Sequence, residues 1–174
     1  MTRFLAIVAM VVGFDQLTKQ WVVNTFSLYE SWVCIPGFFN ITYLTNKGAA
    51  FGFLASQSGA WRHYLFLVLG TVALVVIGVA WSRMRQAHPL YAIGLPMIAG
   101  GALGNLIDRI RFGSVVDFLD VHIQGHHWPA FNVADSAISM GVVVFFIANI
   151  LEEKERRRSN VVGAIKEKKK GMQE

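Results

Sequence analysis

An all-α polytopic membrane protein, with four transmembrane helices and a small extracytoplasmic β-structured loop, is the fold class that the sequence predicts. Three observations carry it. Hydrophobic residues make up 54% of the 174-residue chain and charged ones 16%, whereas a soluble domain holds about 25% charged residues. The apolar residues come in four long blocks and not in amphipathic alternation. Eight of the sixteen basic residues crowd into the last twenty-one positions, the asymmetry expected at the cytoplasmic side of a membrane protein. Mean hydropathy is +0.45.

The first block, residues 4–26, follows Arg3 much as a secretory signal would. It has no small-x-small cleavage site and resumes beyond Asp15 and Lys19 through Trp21, Val22 and Phe26, so it is expected to stay as a first span. The second, 64–80, has 17 uncharged residues, and the third, 89–107, has 19. Both fall within the roughly 17–25 residues that cross a hydrocarbon core. The fourth runs from about 133 to 151. Backbone polar groups in lipid must be satisfied within the segment, so the blocks are helices.

Placing both termini in the cytoplasm puts eleven basic residues inside (Arg3, Arg83, Arg85 and the tail) and four outside (Lys47, Arg62, Arg109, Arg111). Trp21, Trp32, Trp61 and Trp128 then sit near the outer interface and Trp81 marks the inner one. The outer loop, about 27–60, reads as two short strands around Pro36-Gly37, with Phe39, Ile41 and Tyr43 alternating with Asn40 and Thr42 at the period of a half-buried strand. Asn46-Lys47-Gly48 closes it as a turn. Residues 1–153 form the membrane domain. Residues 154–174 form a basic cytoplasmic tail, first helical and then disordered, read as a topological signal and not as a nucleic-acid site.

Ionisable groups in a span are costly and therefore informative. At about 1.5 Å per residue, Asp15 and Lys19 lie roughly 17 and 22 Å from the inner end of the first span, and Asn105 roughly 24 Å along the third. Asp108 and Arg109 follow one turn later. Asn132 and Asp135 open the descending fourth span, and Asp117 lies in the outer connection. The polar groups therefore gather in the outer half of the membrane, whereas an ion pathway needs them throughout its depth. Asp15 and Lys19 can pair at i, i+4. Asp108 and Arg109 can be interfacial charges, and Asn132 with Asp135 has the pattern of a helix N-cap. Asp117, between Val116 and Phe118, has no such structural explanation. Two carboxylates at one depth in an apolar setting share a proton, and such a dyad hydrolyses peptide bonds by activating water.

No zinc-protease or nucleophile-elbow motif is present. His122, His126 and His127 read as solvated loop residues, and no metal or cofactor is expected. Cys34 cannot form an internal disulfide and is expected to be a buried apolar residue.

Five segments, in order, then carry a resemblance: Asp15-Gln-Leu-Thr-Lys19, Asn46-Lys-Gly-Ala-Ala-Phe51, the stretch from Gly101 to Arg109, Val115-Val-Asp-Phe118 and Phe131-Asn-Val-Ala-Asp135. Their sequence and spacing resemble the boxes of bacterial lipoprotein signal peptidase, signal peptidase II, over residues 15–151. The resemblance implies a four-helix bundle with an outer β-cradle in the bacterial cytoplasmic membrane. It also implies an aspartyl endopeptidase that cleaves diacylglyceryl-modified prolipoproteins before the lipidated cysteine. Asp117 and Asp135 match the catalytic pair, Asn105, Arg109 and Asn132 the substrate-lining residues, and Asp15, Lys19, Asn46 and Asp108 supporting positions. Expected partners are prolipoproteins, membrane lipid and peptide antibiotics such as globomycin, with Phe51, Phe53 and Leu54 forming a lid. The residues alone also allow a small transporter or channel subunit, or a lipid-binding scaffold.

Overall fold

The structure, a computed structural model, describes residues 1–48 and 60–170. The lid expected of Phe51, Phe53 and Leu54 lies outside the described residues. Four long helices make the body: α1 (Thr2–Thr25), α2 (Ala60–Met84), α3 (Tyr91–Phe112) and α4 (Val133–Lys170). The shortest, α3, has 22 residues and is about 33 Å long, enough to cover a hydrocarbon core of about 30 Å. Two stretches, Trp61–Met84 of α2 and Val133–Asn160 of α4, are long and apolar enough by composition to cross a membrane. The other two helices, α1 and α3, carry the polar residues singled out above.

The packing of α3 against α4 depends on glycine. A Cβ on Gly94 would lie 2.9 Å from the carbonyl oxygen of Gly141, and a Cβ on Gly141 would lie 2.7 Å from that of Gly94. The two backbones touch because neither residue has a side chain, as is common between helices in lipid. The lower bundle closes over Ile77, Trp81, Tyr91, Leu95 and Ala99. Trp81 is buried, its ring 4.7 Å from that of Phe4. Much of the outward surface is apolar, including Leu5, Phe14, Val72, Val75 and Phe146. Beyond Leu151, α4 continues unbroken to Lys170, so the described part of the tail is helical and does not lose order.

Beside the helices lies a four-stranded antiparallel sheet in the order β1-β2-β3-β4, formed by Ser31–Ile35, Phe39–Asn46, Val115–Ile123 and His126–His127. The first two strands fall where the alternation placed them, and Asn40 and Thr42 are the most buried residues of β2. Asn40 Nδ2 donates to Asp120 at 2.9 Å and Thr42 to the Glu30 carbonyl at 3.1 Å, while Asn40 Oδ1 is buried without a partner among the described residues. Meanwhile Ile41 and Tyr43 pack beside Val22, Phe26, Val116 and Phe118. Cys34 is exposed and not buried, because β1 is an edge strand paired only to β2. The histidines are strand residues and not loop residues. His122 stacks on His127 at 4.6 Å, and His127 bonds Asp120 at 2.7 Å.

A candidate active site between the helix ends and the sheet

Each carboxylate reaches the site for a local reason. The helix α3 stops at Gly113, which adopts a left-handed φ of 71° that a side chain would disfavour, and whose N–H caps the Arg109 carbonyl. The chain reverses into β3, held there by Val116 N–H donating to Asp108 Oδ2 at 3.1 Å. Asp117 is thus the third residue of a strand anchored to the end of α3. Asp135 stands in the first turn of α4. Its N–H donates to Asn132 Oδ1 at 2.9 Å while its own Oδ2 accepts from Asn132 N–H at 3.3 Å. This reciprocal pattern is the N-cap expected from the sequence.

One side chain joins the two acids. With its Oδ1 committed to the N–H of Asp135, Asn132 turns its amide NH2 to Asp117 Oδ1 at 2.8 Å. Asn105 acts in parallel, its Nδ2 donating to Asp135 Oδ1 at 2.8 Å. Its orientation is fixed from behind, where Asn105 Oδ1 accepts from Lys19 Nζ at 2.9 Å. The ammonium of Lys19 has three protons and three acceptors: Asn105, Asp15 Oδ2 at 2.8 Å and Asp108 Oδ2 at 3.0 Å. The i, i+4 pair is therefore real, but it is one arm of a triad, and Asp108 is buried and not an interfacial charge. Asp15 Oδ1 also accepts from Ala134 N–H at 3.0 Å, which ties α1 to the start of α4.

Asn46, the last residue of β2, hydrogen-bonds Asp117 and accepts from Gly48 N–H at 2.8 Å. Arg109 is half-buried, 5.2 Å from the Phe66 ring centre, and donates to the Asn105 carbonyl at 3.3 Å. All nine expected residues therefore fall in one neighbourhood. Gln16 is an unforeseen addition: its amide reaches Asp15 at 3.1 Å, the Gly104 carbonyl at 3.2 Å and Asp108 at 2.9 Å. An uncharged residue between two charged ones gives little signal, although its place in the first sequence box was available.

Burial and the neighbouring Asp135 charge together push the Asp117 carboxyl up to about 7, against the weaker opposing effect of the Asn46 and Asn132 hydrogen bonds. Asp117 lines a cleft of about 640 Å³ with Tyr29, Asn46, Lys47, Arg62 and Pro129. Asp135 lines another of about 420 Å³ with Trp128, Phe131, Ser139 and Met140. The 128–131 segment borders both. Among the described residues no group of three or more His, Cys, Asp or Glu is disposed to hold a metal ion.

Comparison with known proteins gives a consistent picture. A family model described as signal peptidase (SPase) II matches residues 7–151. A lipoprotein signal peptidase of Geobacter metallireducens is 44% identical over 157 residues, 90% of this chain and 96% of that one. The one from Geobacter sulfurreducens is 48% identical over 153 residues, covering 88% and 94% respectively. Among solved structures, a bacterial membrane enzyme determined by the in meso method superposes with a TM-score of 0.78. It is 34% identical and covers 89% of this chain and 92% of its own.

Proposed function

The chain belongs to the signal peptidase II family, and from that premise we propose that it removes signal peptides from prolipoproteins, with Asp117 and Asp135 as the working carboxylates. The observation that carries the pair is Asn132, whose side-chain NH2 donates to the Asp117 carboxylate while its backbone N–H donates to that of Asp135. In this reading Asp135 takes a proton from water, and the water oxygen attacks the scissile carbonyl carbon. Asp117 gives its proton to the carbonyl oxygen, forming a tetrahedral diol. Collapse returns a diol proton to Asp117 and passes the Asp135 proton to the leaving nitrogen, releasing a carboxylic acid and an amine. Asn105, Arg109, Asn132 and Asn46 orient the acids and the substrate, while Asp15, Lys19 and Asp108 hold that shell in place.

The substrate is a prolipoprotein whose cysteine already bears a diacylglyceryl group, cut just before that cysteine. Acyl chains in the outer leaflet would hold the scissile bond at the depth of the acids, which lowers the entropic cost of alignment. Peptide antibiotics such as globomycin would compete for the same clefts. The test is cleavage by the purified protein in detergent of one prolipoprotein in diacylated and unmodified forms. Selective cleavage of the diacylated form supports the reading, and indifference to the lipid removes it.

All four helices cross the bacterial cytoplasmic membrane in this reading, with both termini inside, residues 1–153 forming the catalytic domain and 154–174 the basic tail. Exposed Cys34 is a natural reporter for the outer side. An impermeant maleimide applied to sealed cells should label Cys34 and should fail to label Ser159→Cys in a Cys34→Ser background. Labelling at position 159 would invert the topology.

The raised Asp117 carboxyl sets a pH limit. The mechanism needs Asp117 protonated, so kcat/KM should fall about tenfold per pH unit once pH rises clearly above about 7. Asn46 favours the ionised form of Asp117, so Asn46→Ala should move this alkaline limb upward. A limb unmoved by that change would separate Asp117 from the proton-donating role.

A further inference from the structure

We propose that the cleft at the Met1 end of the bundle, walled by Arg3, Trp81, Arg85 and Ala92, binds the phosphate of an anionic phospholipid. The proposal rests on the reading of the bundle as membrane-embedded, but not on the peptidase chemistry, which lies at the opposite end of α1. The cleft has a volume of about 380 Å³ and is completed by Met1 and Thr2. No carboxylate lines it. Neither arginine belongs to an ion pair among the described residues. Arg85 lies 4.9 Å above the Trp81 ring, which keeps its guanidinium over the cleft wall.

Trp81 supplies the independent observation. The residue is 9% exposed, and its indole N–H is buried without an acceptor. A buried donor left unpaired is uncommon and calls for an explanation. The start of α1 adds to the demand for negative charge, since it has neither an acidic residue in its first turn nor a side-chain N-cap. The nearby acids are engaged elsewhere, Glu152 accepting from Tyr91 at 2.8 Å and Glu153 pairing with Arg157. A phosphate ester is the anion that suits a cleft with two guanidinium groups and no carboxylate among its described lining. A lipid source is favoured over free phosphate because Leu5 and Ile93, just beyond the cleft on α1 and α3, are exposed apolar residues that acyl chains would cover.

The experiment places the full-length protein in phosphatidylcholine nanodiscs with an increasing fraction of phosphatidylglycerol. Binding is read from the nitrogen-15 indole resonance of Trp81, assigned by its loss in Trp81→Phe. A saturable shift is expected, and Arg3→Gln with Arg85→Gln should raise the midpoint at least about 10-fold. The tail variant Arg156→Gln with Arg158→Gln, which removes the same charge elsewhere, should leave the midpoint in place. A drift without saturation, an unmoved midpoint in the cleft variant, or an equal effect from the tail variant would overturn the site. Inorganic phosphate reaching the same end point in pure phosphatidylcholine would overturn the lipid assignment. Prolipoprotein cleavage measured on the same samples separates failure here from failure of the peptidase reading.

Discussion

Asp117→Asn and Asp135→Asn should each lower cleavage of a diacylated prolipoprotein by about 10³-fold or more, with the protein still folded. The size follows from the proposed mechanism, in which each change removes a proton transfer from a hydrolysis without a covalent intermediate. Folding should survive because an amide at 117 can still accept from Asn132 Nδ2, now at 2.8 Å from Asp117. At 135 the change sets an NH2 against the N–H of Asn132 or against Asn105, so a cost of about 1 kcal/mol at the helix cap is expected. Thermal stability in detergent, measured beside turnover, separates that cost from the loss of chemistry. Asp120→Asn is the control. Asp120 lies on the same strand, is buried, and accepts from Asn40 while bonding His127, so its loss should lower stability but not turnover per folded molecule. Near-normal turnover by either dyad variant would exclude that residue from the reacting pair.

The helices were legible because each coincides with a long apolar block, and a helix satisfies the backbone polar groups of such a block internally. The first two strands were legible because turn residues and alternation coincide at Pro36-Gly37. The third strand was not. Val115-Val116-Asp117-Phe118-Leu119-Asp120 has no clean period of two, because Val116 and Phe118 pack on Val22 and Phe26 while Asp117 and Asp120 are each held by polar partners. A strand covered on both faces reads as an apolar run broken by acids. The burial of Asn40 on β2 has the same origin: Asp120 meets it across the pairing. Such satisfaction depends on a residue eighty positions away and leaves no local trace. The candidate site was more legible than the sheet, since charged residues in apolar surroundings stand out individually. Their wiring was not legible, and the spacing that pairs Asp15 with Lys19 gives no hint that Asp108 shares the same ammonium.

That third partner changes what substitution at Lys19 should do. With Asp15 alone as partner, Lys19→Gln combined with Asp15→Asn would remove a neutral pair and restore most of the lost stability. The triad holds two acids on one base, all three nearly inaccessible, with 3% of the Lys19 side chain and at most 1% of the acids exposed. Lys19→Gln therefore strands two carboxylates at once and should be the most damaging single change, costing about 3–5 kcal/mol. Asp15→Asn leaves the Lys19–Asp108 pair and should cost less. The double variant still strands Asp108, which keeps only Gln16 and the Val116 N–H as donors, and should recover only part of the loss. Recovery should rise again when Asp108→Asn is added, because the cluster then holds no charge. The stabilities of the parent, the two single variants and the double variant, read by thermal unfolding in one detergent, form a cycle whose coupling term is expected to be large. Turnover should follow a different order, since Lys19 also fixes the Asn105 amide that faces Asp135. The triple variant should fold well and remain slow. A double variant as stable as the parent would show that Asp108 does not depend on Lys19, and a fast triple variant would show that the Asn105 amide needs no support from behind.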